Sequence, residues 1–180
     1  MDDEDARRER FFELTDRGWR HSELADEIIR RNFAYLQRKR RLPLGVASVP
    51  MPPAAVNALR QALAAYHEAL LLVTEENGEN YPIVHHQLGS IYLQLEVKDR
   101  AFIHLTEATR VFEAMGHRMS TGQSRENLAR LHFFKGGRYQ DALVQARAAL
   151  ELYQSCGPDA AGEVDRMQRF IADISAQLGY

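Results

Sequence analysis

The chain is poor in the features that mark secreted, membrane-spanning and strongly charged proteins. Its 180 residues include a single cysteine, Cys156, so no intramolecular disulfide can form. No apolar run is long enough to cross a bilayer, and the N-terminus is acidic and arginine-rich without an apolar core. The net charge of −2, with both signs mixed, argues against a dedicated nucleic-acid or membrane binder. These absences predict a protein of the reducing cytoplasm.

Motifs for catalysis are also missing. The sequence has no phosphate-binding loop, no serine elbow and no zincin pattern. Cys156 follows a predicted helix, whose C-terminal dipole disfavours the negative charge of a thiolate nucleophile. Among the seven histidines, His85 and His86 are adjacent and diverge on a helix, without a nearby cysteine or a pair of carboxylates. We therefore expect no enzymatic activity, no cofactor and no metal site.

What the chain does contain is a repeated spacing of small residues. Three times, an alanine is followed four residues later by a packing residue and seven residues later by a second alanine. The sets are Ala62/Tyr66/Ala69, Ala101/Leu105/Ala108 and Ala142/Ala146/Ala149. They recur at a period of about forty residues, and each is followed by a glycine, at Gly78, Gly116 and Gly157.

Such a period predicts helices that pack as stacked pairs. Alanines separated by three and four residues lie on one stripe of a helix, where their small side chains let a neighbouring helix approach closely. The predicted fold is all-α: a short α-solenoid of antiparallel helix pairs, with an N-terminal helical pair and a C-terminal capping helix.

The chain divides into three predicted parts. Residues 1–41 form the helical pair, in which the first helix stops near Gly18 and the second begins at Ser22 and ends on Arg38–Arg41. Residues 42–53, LPLGVASVPMPP, form a proline-rich apolar connector that either packs along the helices or binds a partner. One further hypothesis places the connector in a groove of the repeats as an internal ligand. Residues 54–180 form the repeats. Their predicted helices cover about 54–77, 81–95, 99–115, 120–135, 139–155 and 159–178.

Two segments resemble tetratricopeptide repeats. The first has Leu88-Gly89-x-x-Tyr92 before Ala101, Leu105 and Ala108; the second has Leu128-Ala129-x-x-His132 before Gly136, Tyr139, Ala142, Ala146 and Ala149. The period of about forty is similar to the variant found in bacterial signalling proteins and kinesin light chain-type adaptors. Residues 54–77 resemble only the second helix of an earlier repeat. Their partner is expected within residues 22–41, where no matching small-residue spacing occurs.

This resemblance implies binding of a peptide or partner protein along the concave face formed by the first helices. Phe133, Phe134 and Leu93 are the expected apolar anchors, although the two phenylalanines could instead pack under the next helix. A full carboxylate clamp is not expected, because His86 and Ser90 replace the lysine and asparagine of clamp-bearing repeats. The implied groove residues are Ile83, His86, Gln87, Ser90, Leu93, Gln94, Gln123, Glu126, Asn127, Arg130, Phe133 and Phe134.

The sequence thus favours a non-enzymatic adaptor that binds a protein or peptide partner, with self-association through an exposed end also open. The alternative is a sensory or regulatory module of a transcription or signalling protein, whose basic N-terminal helix contacts DNA or a second protein. Balanced charges make nucleic acid the less expected partner.

Overall fold

Seven α-helices follow one another in a computed structural model of the chain, which describes residues 3–32, 35, 50–134 and 138–179. Short 3₁₀ turns at Glu75–Asn77 and Gly157–Ala160 complete the secondary structure of these residues, which include no strand. The helices are α1 (Asp3–Arg31), α2 (Pro53–Leu70), α3 (Asn80–Gln94), α4 (Lys98–Ala114), α5 (Arg118–Phe134), α6 (Tyr139–Ser155) and α7 (Ala161–Leu178).

Packing follows chain order. The most extensive contacts join α1 to α2, α3 to α4 and α5 to α6, so the chain forms three helical hairpins. Each hairpin meets the next through α2 and α3 or α4 and α5, α7 packs on α6, and α3 also reaches α5. The prediction of an all-α, solenoid-like arrangement is confirmed for the described residues.

The alanine stripes lie in the seams between helices, as predicted. All of their alanines are 0% exposed: Ala62, Ala69, Ala101, Ala108, Ala142, Ala146 and Ala149. Tyr66 and Leu105, the packing residues of the first two sets, are also buried. The small side chains therefore serve close helix packing, and none of the stripes faces solvent.

Each hairpin also has a glycine on its first helix that packs directly against a side chain of the second helix. A Cβ atom added to Gly18 would lie 2.8 Å from the ring of Tyr66, and one added to Gly89 would lie 2.6 Å from Cγ of Leu105. In the third hairpin, Gly122 makes the same kind of approach to Tyr153, at 2.7 Å. A side chain at any of these three positions would force the facing residue to move.

Helix α1 is longer than predicted from the sequence. It continues without a break through Gly18 and Ser22, where the sequence predicted an end and a new start. Gly18 is buried against Tyr66, and Ser22 donates its hydroxyl to the Gly18 carbonyl at 3.1 Å inside the helix, so it caps nothing. The partner of α2 is consequently this long helix, and the predicted break between Gly18 and Ser22 is wrong.

Parts of three sequence predictions lie outside the described residues. They concern the basic end Arg38–Arg41, residues 42–49 of the connector and the Gly136-Gly137 turn. The remainder of the connector, Pro50–Pro52, leads into α2, where Met51 packs against the core of the first hairpin.

Three helix boundaries in the repeats differ by two or more residues from the predicted ones, and one of them is the start of α7, at Ala161 instead of residue 159. Helix α2 ends at Leu70, seven residues before the Asn77-Gly78 pair that was predicted to end it. Helix α5 begins at Arg118 rather than Ser120, because the chain turns earlier, at Gly116. There the Gly116 amide donates to the carbonyl of Glu113 and the His117 amide to that of Phe112, both at 3.0 Å. With φ of +73° at Gly116, this is the Schellman arrangement for ending a helix.

Helix α7 closes the stack as predicted. Met167 and Ile174 are fully buried against the last hairpin, where Phe133 and Tyr153 belong to the same apolar cluster. The opposite face of α7 is exposed and mainly polar, with Asp165, Gln168, Arg169 and Ala172. None of the helices in the described ranges has the length and apolarity that a membrane crossing requires.

Candidate binding groove

A shallow depression of about 400 Å³ lies where α3, α5 and α7 meet. It is lined by His86, Gln123, Glu126, Asn127, Arg130 and Arg166. Five of these residues come from the first helices of the second and third hairpins, and the sixth comes from α7. We call this depression the donor site, because most of its exposed polar groups carry N–H donors.

A buried carboxylate organises the donor site. Glu126 is 5% exposed and accepts two hydrogen bonds from Arg166, from Nε to Oε1 at 3.0 Å and from Nη2 to Oε2 at 2.9 Å. Arg130, one turn further along α5, donates Nη2 to Oε1 at 2.7 Å. Since both guanidinium groups remain partly exposed, Glu126 fixes their positions while leaving other N–H groups of each arginine toward solvent.

Tyr153 completes the support of Glu126 from below. Its hydroxyl donates to Oε2 of Glu126 at 2.9 Å, and burial together with the Glu126 charge raises the pKa of Tyr153. Burial alone would raise the pKa of Glu126, but the hydrogen bond from Arg166 and the charges of Arg130 and Arg166 outweigh it and lower that pKa. Glu126 is therefore ionised at neutral pH and holds both arginines.

Polar contacts also join α3 to α5 at the edge of the donor site. His86 Nδ1 lies 2.9 Å from Ser124 Oγ, and Asn127 donates Nδ2 to Ser90 Oγ at 2.9 Å. Burial lowers the pKa of His86 to about 4, so its imidazole is neutral at pH 7. These bonds fix the relative position of the two helices that form most of the site.

The groove residues predicted from the sequence divide into three groups. His86, Gln123, Glu126, Asn127 and Arg130 line the donor site. Ser90 contacts it through Asn127. The remaining residues lie elsewhere on the predicted groove helices. Of these, Gln87 and Leu93 are partly buried, and Ile83, Gln94 and Phe134 are exposed.

Phe133 is buried and does not lie in the groove where it was predicted. Its side chain is 1% exposed and its ring lies 5.4 Å from that of Phe170 and 5.5 Å from that of Tyr139, in the core beneath α7. Phe133 therefore does not reach the groove surface, and for this residue the alternative of packing under the next helix is right. Its neighbour Phe134 remains exposed.

Arg166 was missed by the sequence analysis. It lies on α7, which the sequence indicated only as a cap, and its role depends on the distance of about 3 Å to Glu126, forty residues earlier. The one available signal was its place beside Met167, the buried stripe of an amphipathic helix. Such a position predicts exposure at the edge of a seam but identifies no partner.

A second polar cluster lies in the core, away from the donor site, where α2, α3 and α4 meet. His104 Nδ1 is 3.2 Å from His85 Nδ1, and His67 Nε2 is 2.7 Å from the hydroxyl of Tyr92. The ring of Tyr92 stacks on that of His104, with centroids 5.7 Å apart. Across the described ranges, no group of three or more His, Cys, Asp or Glu side chains has an arrangement that could hold a metal ion.

Four arginines of α1 pair with carboxylates: Arg10, Arg17, Arg20 and Arg31. Arg20 pairs with Asp16 at 2.6 Å and Arg31 with Glu27 at 2.5 Å, each four residues apart on the helix. Arg17 contacts Glu68 of α2 at 3.1 Å. These pairs reduce the positive field that a DNA-binding helix needs. The regulatory alternative finds no support in them and stays a prediction.

Neither a protein-family model nor a curated protein matches the chain. The helical-repeat architecture therefore follows from the packing of the seven helices alone.

Proposed function

We propose that the chain is a non-enzymatic, cytoplasmic adaptor of the tetratricopeptide-repeat type, which binds a segment of a partner protein on the face formed by its first helices. The observation that carries this proposal is the donor site, where residues of α3, α5 and α7 converge around one buried carboxylate. Signalling is one context in which such an adaptor would act.

Preorganisation supports the proposal. A single exposed ion pair contributes only about 0 to 1 kcal/mol, so a useful site needs several donors whose positions are fixed before the ligand arrives. Glu126 holds Arg130 and Arg166, and Ser90 holds Asn127. A bound peptide would therefore order few of the side chains that contact it.

The proposal is tested by capturing partners with the full chain in the presence of a crosslinker, followed by mass spectrometry. The groove variant combines Asn127→Ala with Arg130→Ala. Its matched control combines Val144→Ala with Arg147→Ala, two exposed residues of the second helix α6. Proteins recovered with the wild-type chain should fall at least about tenfold with the groove variant, because two fixed donors are lost. They should be unchanged with the control.

Equal recovery by the two variants would refute the proposal, provided that circular dichroism shows both to be as helical as the wild type. All four substitutions fall on exposed or partly exposed side chains, so the fold should be retained.

A further inference from the structure

The first helices of the three hairpins share a common register. Gly18 of α1 packs against Tyr66, and Gly89 of α3 packs against Leu105, the middle residues of the first two alanine sets. Ala129 of α5 occupies the corresponding place in the repeated motif and is fully buried in the same cluster as Ala146. Residues at equal offsets from these three positions point to the same side of their hairpins, because the rotation per residue is the same in each helix.

Two offsets identify the binding face. In α5, the residues one position after and six positions before Ala129 are Arg130 and Gln123, and both line the donor site. These positions are seven residues apart and so lie on one stripe. In α3 the same offsets give Ser90, which is partly buried, and Ile83, which is exposed.

In α1 the same offsets give Trp19 and Phe12. Each is 51% exposed, and Trp19 is the only tryptophan of the chain. The guanidinium carbon of Arg8 lies 5.8 Å from the centre of the Phe12 ring. We call Phe12 and Trp19 the aromatic site. Exposed aromatic side chains on one stripe are typical of interaction surfaces, where tryptophan often dominates the binding energy.

The face thus changes character along the stack, from aromatic on α1 to mixed on α3 and to hydrogen-bond donors on α5 and α7. The donor site presents N–H groups of two arginines beyond those used on Glu126, which match the oxygens of a carboxylate. Glu163 stands 3.9 Å from Arg166 Nη1, and its charge competes with an incoming carboxylate for that arginine. Arg130, four residues along α5 from Glu126, is therefore the principal group for an incoming carboxylate.

We propose that the partner segment is an extended acidic peptide bound at both ends of this face. A large apolar side chain packs on the aromatic site, and the side-chain carboxylate of an aspartate or glutamate accepts hydrogen bonds at the donor site. This inference rests on the proposed function and specifies the chemistry of its ligand.

The geometry also sets the spacing of the two peptide residues. Helix α3 contacts α5, whereas α1 is connected to α3 through α2. Packed helices lie about 8 to 10 Å apart, so the distance from α1 to α5 across this face is at least about 20 Å. An extended chain advances about 3.3 Å per residue. The apolar residue and the acidic residue should therefore be separated by at least about six positions.

The test selects a random twelve-residue peptide display library on the immobilised full chain. The expected peptides carry a large apolar residue and an acidic residue at least about six positions apart. Synthetic copies with an amidated C-terminus, which excludes a terminal carboxylate as the ligand, are then titrated by fluorescence anisotropy. Trp19→Ala and Arg130→Ala should each weaken binding at least about tenfold, because each removes one of two anchors.

The dependence of binding on salt concentration distinguishes the donor site from the aromatic site. Raising the salt concentration from about 0.05 to 0.5 M should weaken binding to the wild type and to Trp19→Ala, whereas binding to Arg130→Ala should respond much less. The matched controls are Val144→Ala for the aromatic change and Arg147→Ala for the charge change, and both should bind as the wild type does. All of these positions are exposed or partly exposed on the described helices.

The outcomes distinguish this inference from the proposed function. Peptides that depend on Arg130 but lack the spacing, the acidic residue or any dependence on Trp19 would overturn the two-site inference and leave groove binding intact. A library from which no peptide is enriched would count against both.

Discussion

At the scale of single residues, Gly89 controls how closely α3 and α4 can pack. An added Cβ would lie 2.6 Å from Cγ of Leu105 and 3.0 Å from its backbone nitrogen. The backbone of α4 cannot move aside without disturbing Ala101 and Ala108, which are 0% exposed on the same stripe. The crossing therefore depends on the absence of one methyl group.

Gly89→Ala should accordingly lower the free energy of unfolding. Overpacking costs about 1 to 3 kcal/mol, and the better helix propensity of alanine offsets about 1 kcal/mol of that. We expect a net loss of up to about 2 kcal/mol in urea denaturation. The control is Gly162→Ala, because a Cβ on Gly162 meets nothing within 4 Å and should cause no loss. Equal stabilities of the two variants would contradict this account of the crossing.

Residues that act through spacing could be predicted from the sequence, and residues that act through tertiary contact could not. The alanine stripes follow from helical periodicity, which is local. Phe133 and Phe134 are adjacent and chemically identical, yet one lies in the core and the other is exposed, because only the position of α7 distinguishes them. Likewise, the sequence indicated Glu126 and Arg130 but not the third member of their network, Arg166 on α7.

At the scale of elements, Gly18 led to the wrong prediction of a break in α1. Phe11, Leu14, Gly18 and Ala25 are separated by three, four and seven residues and are all buried. The helical spacing of these buried residues continues through Gly18, so the sequence pattern already indicated one continuous helix. A glycine usually weakens a helix, but close packing against Tyr66 compensates here. The end of α2 and the start of α5 were also predicted wrongly, because helix boundaries depend on the backbone geometry of the turns.

The histidine cluster where α2, α3 and α4 meet should make stability depend on pH. Burial lowers the pKa of His104 to about 4, and the charges of His85, His67 and Arg100 act in the same direction. Burial also lowers the pKa values of His85 and His67. The other titratable or charged groups acting on the cluster are Tyr81, Tyr92, Glu107 and Arg110.

The direction of this pH dependence of stability is set by the unfolded chain, in which a histidine binds a proton below about pH 6.5. The folded protein keeps His104 neutral until about pH 4, so its contribution is complete above pH 6.5 and is lost as the pH falls toward 4. Between pH 6.5 and 5, before most carboxylates titrate, His104→Gln should reduce the pH slope of the unfolding free energy by up to about 1.4 kcal/mol per pH unit.

Urea denaturation of both proteins at pH 8, 6.5 and 5 provides the measurement. The difference at pH 8 gives the cost of losing the contact between His104 and His85, which is independent of protonation. An unchanged slope in the variant would mean that His104 takes up its proton equally in the folded and unfolded states.

At the scale of the whole molecule, most contacts join helices that are neighbours in the chain. Stability in such stacks is a sum of local terms, so damage should spread to adjacent hairpins first. Met167→Ala at the α6–α7 seam and Leu59→Ala in the first hairpin both remove fully buried side chains. Each should cost about 2 to 5 kcal/mol.

Hydrogen exchange measured by mass spectrometry distinguishes where each loss occurs. Met167→Ala should lower amide protection most in α5, α6 and α7, and Leu59→Ala most in α1 and α2. Each variant serves as the control for the other. Uniform loss of protection across all seven helices in both variants would show instead that the stack unfolds as one cooperative unit.

The turn at Gly116 has a consequence for how such a chain can grow. Its hydrogen bonds to Glu113 and Phe112 are made within six residues, so the turn between the second and third hairpins is encoded locally, by the end of α4 and the residues that follow it. A duplicated hairpin inserted after this turn would bring its own copy of the turn. The molecule can thus be lengthened by copying genetic segments of one period, and each copy would extend the binding face by one new set of side chains.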